Sequence, residues 1–542
     1  MWKLSEDAQS EAHELYSLLH RPVLFRSPRS ARSVIERLVS RGEAGAIPAI
    51  AGALFTRSLH GDAVVGISQL LSQVPSKELI HLGGVLGWSY GWYISESWSN
   101  LAPAHVEDVA GKTSHRTYIL GLLSFHHNGF VRHEAVKLLA QIDDGDELRY
   151  LLIRQNDWVD PISSDAKAFV RERLTLRYLE HFTREVPLVV HLLKYRRRDL
   201  SGVVTAFVEL LVQPDQSSLL EKVLRSNDRE SCRCVADLAL EIGGSHRERV
   251  VRIGIQSSDP VLRLHCSRAV GGVLRKDEAI QVCDRLLRDS FMPVRREAYL
   301  LRTSSLPGSA DATWRECLFD KSRSLRELAR FHLRDTETDV AEVYRQALSI
   351  DPSSLRAISG IAETGDESDL PALRESLASP LASMRAEAIR GIGRIGSEEV
   401  VTALAGYLTD ESPRVAREAS RQLQPHASQL GPEFLLNLLS TDVPEHAGPC
   451  ILRMVFDLGR WPGFPYLIHA AVMENASIAS YAEKLIELWL TPPRSCRVFT
   501  QPSEHQRQQI LAALETAKGK IRSEFLSHLT EWLRTYELVL TD

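Results

Sequence analysis

The sequence predicts an all-α protein, specifically an α-solenoid in which antiparallel helix pairs stack into a right-handed superhelix. Two observations carry this prediction: a repeat of about 31 residues runs through much of the chain, and strand signals are nearly absent. A helix pair of this length cannot bury its apolar face alone, so neighbouring pairs must supply the core. The chain of 542 residues is therefore expected to form one repetitive body rather than three or four separate globular domains.

The repeat is defined by an apolar residue that opens a helix, often followed by arginine. Successive anchors are 29 to 32 residues apart, with one spacing of 38. The anchors are Val131, Ile162, Leu200, Cys232, Leu262, Val294, Leu325, Leu355, Met384 and Val415. Four positions later a small residue recurs, at Ala135, Ala166, Ala236, Cys266, Ala298, Ala329, Ala388 and Ala419. A small side chain one turn along lets a neighbouring helix approach closely.

Each unit is predicted to contain two short helices, most clearly in residues 368–396. The first has apolar residues at helical spacing from Leu370 to Leu377 and is broken by Ser379-Pro380. The second carries the anchor Met384 on an apolar face and ends at Gly396, which fits a helix C-cap.

The turn and anchor motifs resemble those of the HEAT-repeat family, in its short bacterial and phycobilin-lyase-like form. The motifs are Asp259-Pro260-Val261-Leu262-Arg263, Pro293-Val294-Arg295-Arg296-Glu297-Ala298 and Met384-Arg385-Ala386-Glu387-Ala388. The resemblance indicates an N-terminal helical lead-in at 1–45, degenerate repeats at 46–116, regular repeats at 117–425, and divergent repeats with a C-terminal cap at 426–542. It identifies a fold and no single function, since the family includes scaffolds, lyases, hydroxylases and nucleic-acid enzymes.

The recurrent arginines have two interpretations. They could form a basic stripe for phosphates; the family resemblance instead implies an aspartate–arginine ladder that joins successive repeats. Turn aspartates precede many of the arginines, at Asp259, Asp289, Asp320, Asp351 and Asp410. We favour the ladder.

Composition excludes several classes of protein. The chain is 44% apolar and 25% charged with a net charge of −5, which argues against disorder, and no apolar run approaches the length of a membrane span. The acidic start after Met1 does not fit a signal peptide, and the seven cysteines show no paired CxxC, so we expect a cytoplasmic protein. Arginine outnumbers lysine 53 to 12, which indicates a high-GC bacterial source.

Catalytic motifs are not assembled in the sequence. Val131-Arg132-His133-Glu134-Ala135 resembles the His-Glu motif of deoxyhypusine hydroxylase, a HEAT-type protein that holds two irons. The equivalent slots of the other repeats lack a His-Glu pair, although His126-His127 lies in the same repeat. We therefore predict no catalytic residues, no metal and no cofactor.

An aromatic segment at 86–98 is the first candidate for partner binding. It contains Trp88, Trp92, Tyr93 and Trp98, and such residues are enriched at interface hot spots. The alternative is that its tryptophans plug the exposed N-terminal end of the solenoid as a cap.

A basic run is the second candidate, with Lys194, Arg196, Arg197 and Arg198. Residues 181–334 hold 27 Lys/Arg and 20 Asp/Glu, whereas residues 335–450 hold 9 and 19. This asymmetry can steer a charged partner to one segment. The net charge of −5 argues against a dedicated nucleic-acid binder.

The sequence favours a non-enzymatic scaffold or adaptor that binds another protein, of unknown identity. The first alternative is a HEAT-type enzyme, a lyase or a nucleic-acid-modifying enzyme. The second is a nucleic-acid-binding solenoid that uses the basic middle segment. No membrane partner is expected, and the sequence does not define the oligomeric state.

Overall fold

The computed structural model describes residues 2–20, 27–86, 96–194, 199–396, 400–439, 443–491 and 500–538. These residues form α-helices and short 3-10 helices, and no β-strand occurs among them. The chain divides into two compact units, Met1–Ser305 and Leu306–Asp542. The boundary between the two units falls inside the regular repeats predicted at 117–425. The four segments predicted from sequence were defined by the regularity of their repeats, and their bounds stay a prediction.

Unit 1 is a series of helices that pack mainly on their neighbours in sequence. Its helices are α1 Glu6–Leu19, α2 Pro28–Ser40, α3 Ile47–Ala51, α4 His60–Gln73, α5 Leu82–Gly84, α6 Glu96–Ser99, α7 Val106–Ala110, α8 Arg116–Leu123, α9 Gly129–Leu139, α10 Glu147–Arg154, α11 Asp160–Arg173, α12 Leu179–Lys194, α13 Ser201–Leu211, α14 Ser217–Leu224, α15 Arg229–Ile242, α16 His246–Gly254, α17 Pro260–Val273, α18 Lys276–Leu286 and α19 Met292–Ser305. From α8 onward these helices form successive pairs, such as α8 with α9 and α16 with α17.

Unit 2 continues the same kind of pairing. Its helices are α20 Ala310–Cys317, α21 Arg323–Leu333, α22 Val340–Ile350, α23 Leu355–Thr364, α24 Leu370–Leu377, α25 Ala382–Ile395, α26 Val400–Leu404, α27 Pro413–Leu423, α28 Ala427–Leu430, α29 Pro432–Leu438, α30 Ala447–Asp457, α31 Arg460–Ala471, α32 Ala476–Leu490, α33 Glu504–Ala517 and α34 Ser523–Arg534. The predicted all-α fold of stacked helix pairs, the α-solenoid class, is confirmed.

Local sequence explains where these helices begin and end. At the start of α17 the Asp259 side chain accepts hydrogen bonds from the N–H groups of Val261 and Leu262, and Pro260 occupies the first turn, where its missing N–H costs nothing. At the end of α25 Gly396 adopts the left-handed conformation with φ of 74°, as the sequence predicted for a C-cap.

The small residues four positions after each anchor lie in the core. All eight have 0% of their surface exposed: Ala135, Ala166, Ala236, Cys266, Ala298, Ala329, Ala388 and Ala419. Close helix approach is clearest where α16 meets α17, because a Cβ added at Gly254 would lie 2.0 Å from the Cys266 sulfur. Burial raises the pKa of the Cys266 thiol to about 12, so this cysteine packs as a neutral side chain.

The last helices of unit 2 pack through aromatic rings. The centroid of the Trp532 ring lies 5.9 Å from that of Phe464, and the Trp489 ring stacks at 4.4 Å on Phe456. Helices α32, α33 and α34 fall in the segment that was predicted to carry the C-terminal cap. Their role as a cap stays a prediction. None of the described helices is both long and apolar enough to cross a membrane.

Candidate partner-binding groove

A ladder of ion pairs joins successive repeats. Arg263 on α17 donates from Nε and Nη2 to the Asp289 carboxylate, at 2.8 and 2.9 Å, and from Nη1 to the carbonyl oxygens of Ser257 and Ser258. Equivalent rungs, spanning 25 or 26 residues, are Arg132–Asp157, Arg233–Asp259 and Arg385–Asp410. These arginines are held by the protein itself, as the ladder interpretation predicted, and do not form an open stripe for phosphates.

The ladder carboxylates are held in their charged form. Burial alone would raise the pKa of Asp289, but the hydrogen bond from Arg263 outweighs it and the pKa is lowered. The same balance of burial against Arg132 and Arg154 lowers the pKa of Asp157. The rungs therefore persist as ion pairs at neutral pH.

The ladder changes at Asp351, which was predicted to be one of its members. Arg326, one repeat earlier, instead pairs with Glu363 on α23, with 3.1 Å between Nε and Oε2. Asp351 is exposed and accepts hydrogen bonds from the N–H and hydroxyl of Ser353 in its own turn, at 3.0 and 2.6 Å. In the part of the chain that the structure describes, Asp351 makes no ion pair, so the prediction for this residue is wrong. The turn after α22 is thereby not tied to the ladder.

A groove opens between α22 and α24, beside this turn. Its volume is about 510 Å³, within the size range of ligand and peptide sites. Ile361 and Met384, with 1% and 2% of their surface exposed, form its buried base. Leu348 and Pro352 line one side, and Ala372 lines the other. We call this cavity the α22–α24 groove.

Helix α22 leaves much of its apolar surface uncovered. Of its eleven residues only Tyr344 is buried. The Tyr344 ring packs so closely on α23 that a Cβ added at Gly360 would lie 2.2 Å from it, and its hydroxyl donates to the Leu318 carbonyl at 2.9 Å. At the other end of the helix Ile350 is 84% exposed, and Leu381, before α25, is 52% exposed. Neither residue lines the groove, but Ile350 follows the lining residue Ser349 in the sequence and Leu381 lies between the lining residues Ser379 and Met384, so both are close to it.

The polar groups at the groove are mainly acidic. Arg345, a lining residue, is surrounded by three carboxylates: Asp369 at 2.9 Å, Asp366 at 3.2 Å and Glu342 at 3.8 Å. The Asp369 hydrogen bond raises the pKa of Arg345 above its already high value. Glu375, also a lining residue, is exposed. Residues 335–381 contain 3 arginines, no lysine and 10 Asp/Glu, a net charge of −7.

The aromatic segment predicted from sequence is described only in part. Trp88, Trp92 and Tyr93 lie outside the described residues. Trp98 is 2% exposed, and its carbonyl oxygen lies 2.8 Å from Nε2 of His126. A buried indole cannot contact a partner, so Trp98 is no longer a candidate binding residue. It packs inside the protein instead.

The basic run is likewise described only at its start. Lys194 ends α12 and forms an ion pair with Glu230, with 2.6 Å between Nζ and Oε1, while more than half of its side chain remains exposed. Arg196, Arg197 and Arg198 lie outside the described residues. Lys194 remains accessible, and its role in binding stays a prediction.

The histidines of the His-Glu motif repeat take part in packing and pairing. Nε2 of His133 lies 2.7 Å from Asp165 on the next helix pair. Both ring nitrogens of His126 are used, one with the Trp98 carbonyl and one accepting from the Asn128 N–H, and burial lowers the pKa of His126 to about 4. Among the described residues no three His, Cys, Asp or Glu side chains lie together as metal ligands would.

The groove residues were not identified from sequence. One signal was present, the excess of acidic residues after 335. The apolar groove residue Leu348 lies four positions after the buried Tyr344, which is the spacing of a buried helix face. Only the packing of the neighbouring helices distinguishes a covered face from an open one.

Comparison with known proteins identifies the repeats. Residues 353–424, which include α23, α24 and α25, match the family of HEAT repeats. The prediction of HEAT repeats is therefore confirmed. No curated protein matches the sequence.

Solved structures of other proteins align along the chain. A crystal structure of importin beta covers 98% of this chain and 75% of its own at 11% identity and a TM-score of 0.35. Kap121p bound to Nup53p covers 98% and 66% at 12% identity and a TM-score of 0.30, and an engineered protein covers 77% and 98% at 17% identity and a TM-score of 0.19. These TM-scores are too low for an argument about function.

Proposed function

We propose that the protein is a non-enzymatic HEAT-repeat scaffold that binds another protein, and that the α22–α24 groove is its binding site. The observation that carries the proposal is the exposure of Ile350 and Leu381 close to a cavity of about 510 Å³ whose base is apolar. Ion pairs hold the helices on both sides of the groove: Arg345 on α22 pairs with Asp369 before α24, and Arg385 on α25 forms the ladder rung with Asp410. A groove held in this way is preorganised for a partner, which reduces the ordering cost of binding.

The apolar residues at the groove can supply binding free energy. Burying an exposed Leu or Ile side chain contributes about 1.5–3 kcal/mol. Together with Leu348, which lines the groove, two such residues can form the central cluster that dominates an interface. The acidic groups around them then act on association rate and specificity.

Affinity purification of the tagged protein tests the proposal. The groove variant combines Ile350→Ser and Leu381→Ser; the matched control is Phe130→Ser in unit 1, a residue that is 76% exposed. We expect a protein to be retained in stoichiometric amount by the wild type and by the control, and to be lost with the groove variant. Equal retention by all three proteins would contradict the assignment of the groove.

A second candidate function is binding of nucleic acid through the basic middle segment. Burial lowers the pKa of His191, and the neighbouring charges of Lys194, His81 and Lys77 lower it further. Basic groups of α12 and of the segment before α5 are therefore near one another, and in the sequence the run that ends at Arg198 follows α12 directly. Purification at low and high salt separates the two functions, because phosphate contacts are lost as salt rises and an apolar groove contact is not.

A further inference from the structure

We infer that the partner segment in the α22–α24 groove is an amphipathic helix with lysine or arginine beside its apolar face. This inference rests on the proposed function and specifies its ligand. It is carried by two features of the groove together: apolar side chains at its base and on both sides, set among polar lining residues, and a surrounding excess of carboxylates.

The walls favour a helix over an extended chain. The backbone N–H and C=O groups of α22 and α24 are mostly used inside those helices, so they offer few partners to an extended segment. A helix satisfies its own backbone and can lay an apolar face between two others, as in other helix-in-groove complexes. With eleven residues, α22 is about 16 Å long, which matches an occupant of about three turns.

The charges favour basic residues on that helix. Arg345 is the cation among the lining residues, and three carboxylates surround it, so this end of the groove has a net charge of about −2. Glu375 on α24 and Asp351 after α22 add exposed negative charge on the two sides. An acidic partner would meet repulsion from both sides, whereas Lys or Arg flanking the apolar face would meet carboxylates.

The binding test uses two labelled model peptides of about 14 residues, long enough to form helix. One consists of leucine and lysine in amphipathic order, and the other has glutamate in place of every lysine. Fluorescence anisotropy at physiological salt compares their affinity for the full-length protein. We expect the lysine peptide to bind at least tenfold more tightly. Equal affinity, or tighter binding of the glutamate peptide, would overturn the inference.

Variants locate the binding. Glu375→Arg changes a lining residue, and Glu524→Arg makes the same charge change on exposed α34. We expect Glu375→Arg to weaken the binding of the lysine peptide about fivefold and Glu524→Arg to leave that binding unchanged. A photo-crosslinking residue at exposed Ser353, which lines the groove, should link to the peptide, and one at Glu524 should not. Equal weakening by both variants, or equal crosslinking at both positions, would show that attraction is general to the surface.

The outcomes separate this inference from the proposed function. If Ile350→Ser/Leu381→Ser abolishes capture of the protein partner but the two peptides bind alike, the groove is a binding site and the inferred basic character of its partner is wrong. If that variant changes neither partner nor peptide binding, the proposed function of the groove fails. A wild-type dimer that becomes monomeric in this variant, measured by light scattering, would make the occupant a second copy of the chain and overturn the inference.

Discussion

Helices α10 and α22 both open a helix pair, yet they differ in how much of their surface is covered. In α10 seven of eight residues are buried, including the charged Glu147 and Arg149. In α22 only Tyr344 of eleven residues is buried. Each helix carries a tyrosine whose ring packs against a glycine of a neighbouring helix, Gly121 for α10 and Gly360 for α22. The same local contact therefore serves a fully packed helix in unit 1 and a half-open one in unit 2.

The difference shows which parts of the repeat are structural and which are available for binding. At α10 the carboxylate of Glu147 is satisfied internally: it accepts from Arg173 at 2.7 Å, from Tyr178 at 2.9 Å and from the Gly145 N–H at 2.6 Å. At α22 the arginine and its carboxylates remain partly exposed beside a groove. Most residues of α10 are therefore buried and contribute to the stability of the fold, whereas α22 is only partly covered by its neighbours.

The largest expected effect comes from Arg173→Met, which leaves the carboxylate of Glu147 buried without its cation. Glu147 has none of its surface exposed, and Arg173 also donates to the carbonyl oxygens of Ala140 and Ile142. We expect the free energy of unfolding, measured by urea titration, to fall by about 3–5 kcal/mol.

The control for this prediction is Arg177→Met. Arg177 pairs with Asp143 at 2.6 Å, but both side chains are about two-thirds exposed, so no measurable change in stability is expected. Similar losses in the two variants would mean that the buried Arg173–Glu147 pair contributes no more to stability than the exposed Arg177–Asp143 pair.

The two tyrosine–glycine contacts give the next largest effects. A Cβ added at Gly121 would lie 2.3 Å from the Tyr150 ring, and one at Gly360 would lie 2.2 Å from the Tyr344 ring. We expect Gly121→Ala to cost about 3 kcal/mol, because α10 is enclosed, and Gly360→Ala about 1 kcal/mol, because α22 can shift towards the groove.

Thermal unfolding of these variants checks that order. Gly272→Ala in α17 is the matched control: no atom lies within 4 Å of its added Cβ, so the gain in helix propensity should slightly stabilise the protein. Equal losses at Gly121 and Gly360 would show that α22 is as rigidly enclosed as α10.

These contacts also show how far sequence reasoning extends. The anchor period located the second helix of most pairs, since Leu262, Val294 and Met384 lie in the first turns of α17, α19 and α25. The ladder followed from the motif resemblance, except at Asp351, because the choice of Glu363 by Arg326 depends on how α23 packs. The groove could not be predicted, because Leu348 on α22 and Leu148 on α10 occupy similar apolar patterns. Coverage by neighbouring helices decides that Leu148 is buried and Leu348 lines a cavity.

An intermediate effect is expected for Glu363→Gln on α23, a carboxylate whose side chain is 3% exposed. Glu363 accepts from Arg326 at 3.1 Å and from Arg330 at 2.8 Å. Burial alone would raise the pKa of Glu363, but these hydrogen bonds outweigh it and the pKa is lowered. We expect a loss of about 2 kcal/mol at pH 7.

The sign of the pH dependence follows from that lowered pKa. The carboxylate stabilises the fold fully above its unfolded pKa of about 4.3, and the stabilisation is lost as pH falls through the lower folded value. Urea titrations from pH 7 downwards should therefore show a constant difference between wild type and Glu363→Gln to about pH 5, which shrinks below about pH 4. A difference that stays constant at the lowest pH would contradict the ion-pair explanation.

The smallest expected effect is the one that most directly separates α22 from α10. Ile350→Ser with Leu381→Ser removes two apolar side chains that are 84% and 52% exposed, so the free energy of unfolding should change by no more than about 0.5 kcal/mol. Leu148→Ser on α10, where the leucine is fully buried, should cost several times more, about 3 kcal/mol. Urea titration of the three proteins measures both changes. A large loss of unfolding free energy in the Ile350/Leu381 variant would mean that these two residues stabilise the fold. A negligible loss means that the fold gains little from them, so their apolar surface is free to contribute to binding a partner.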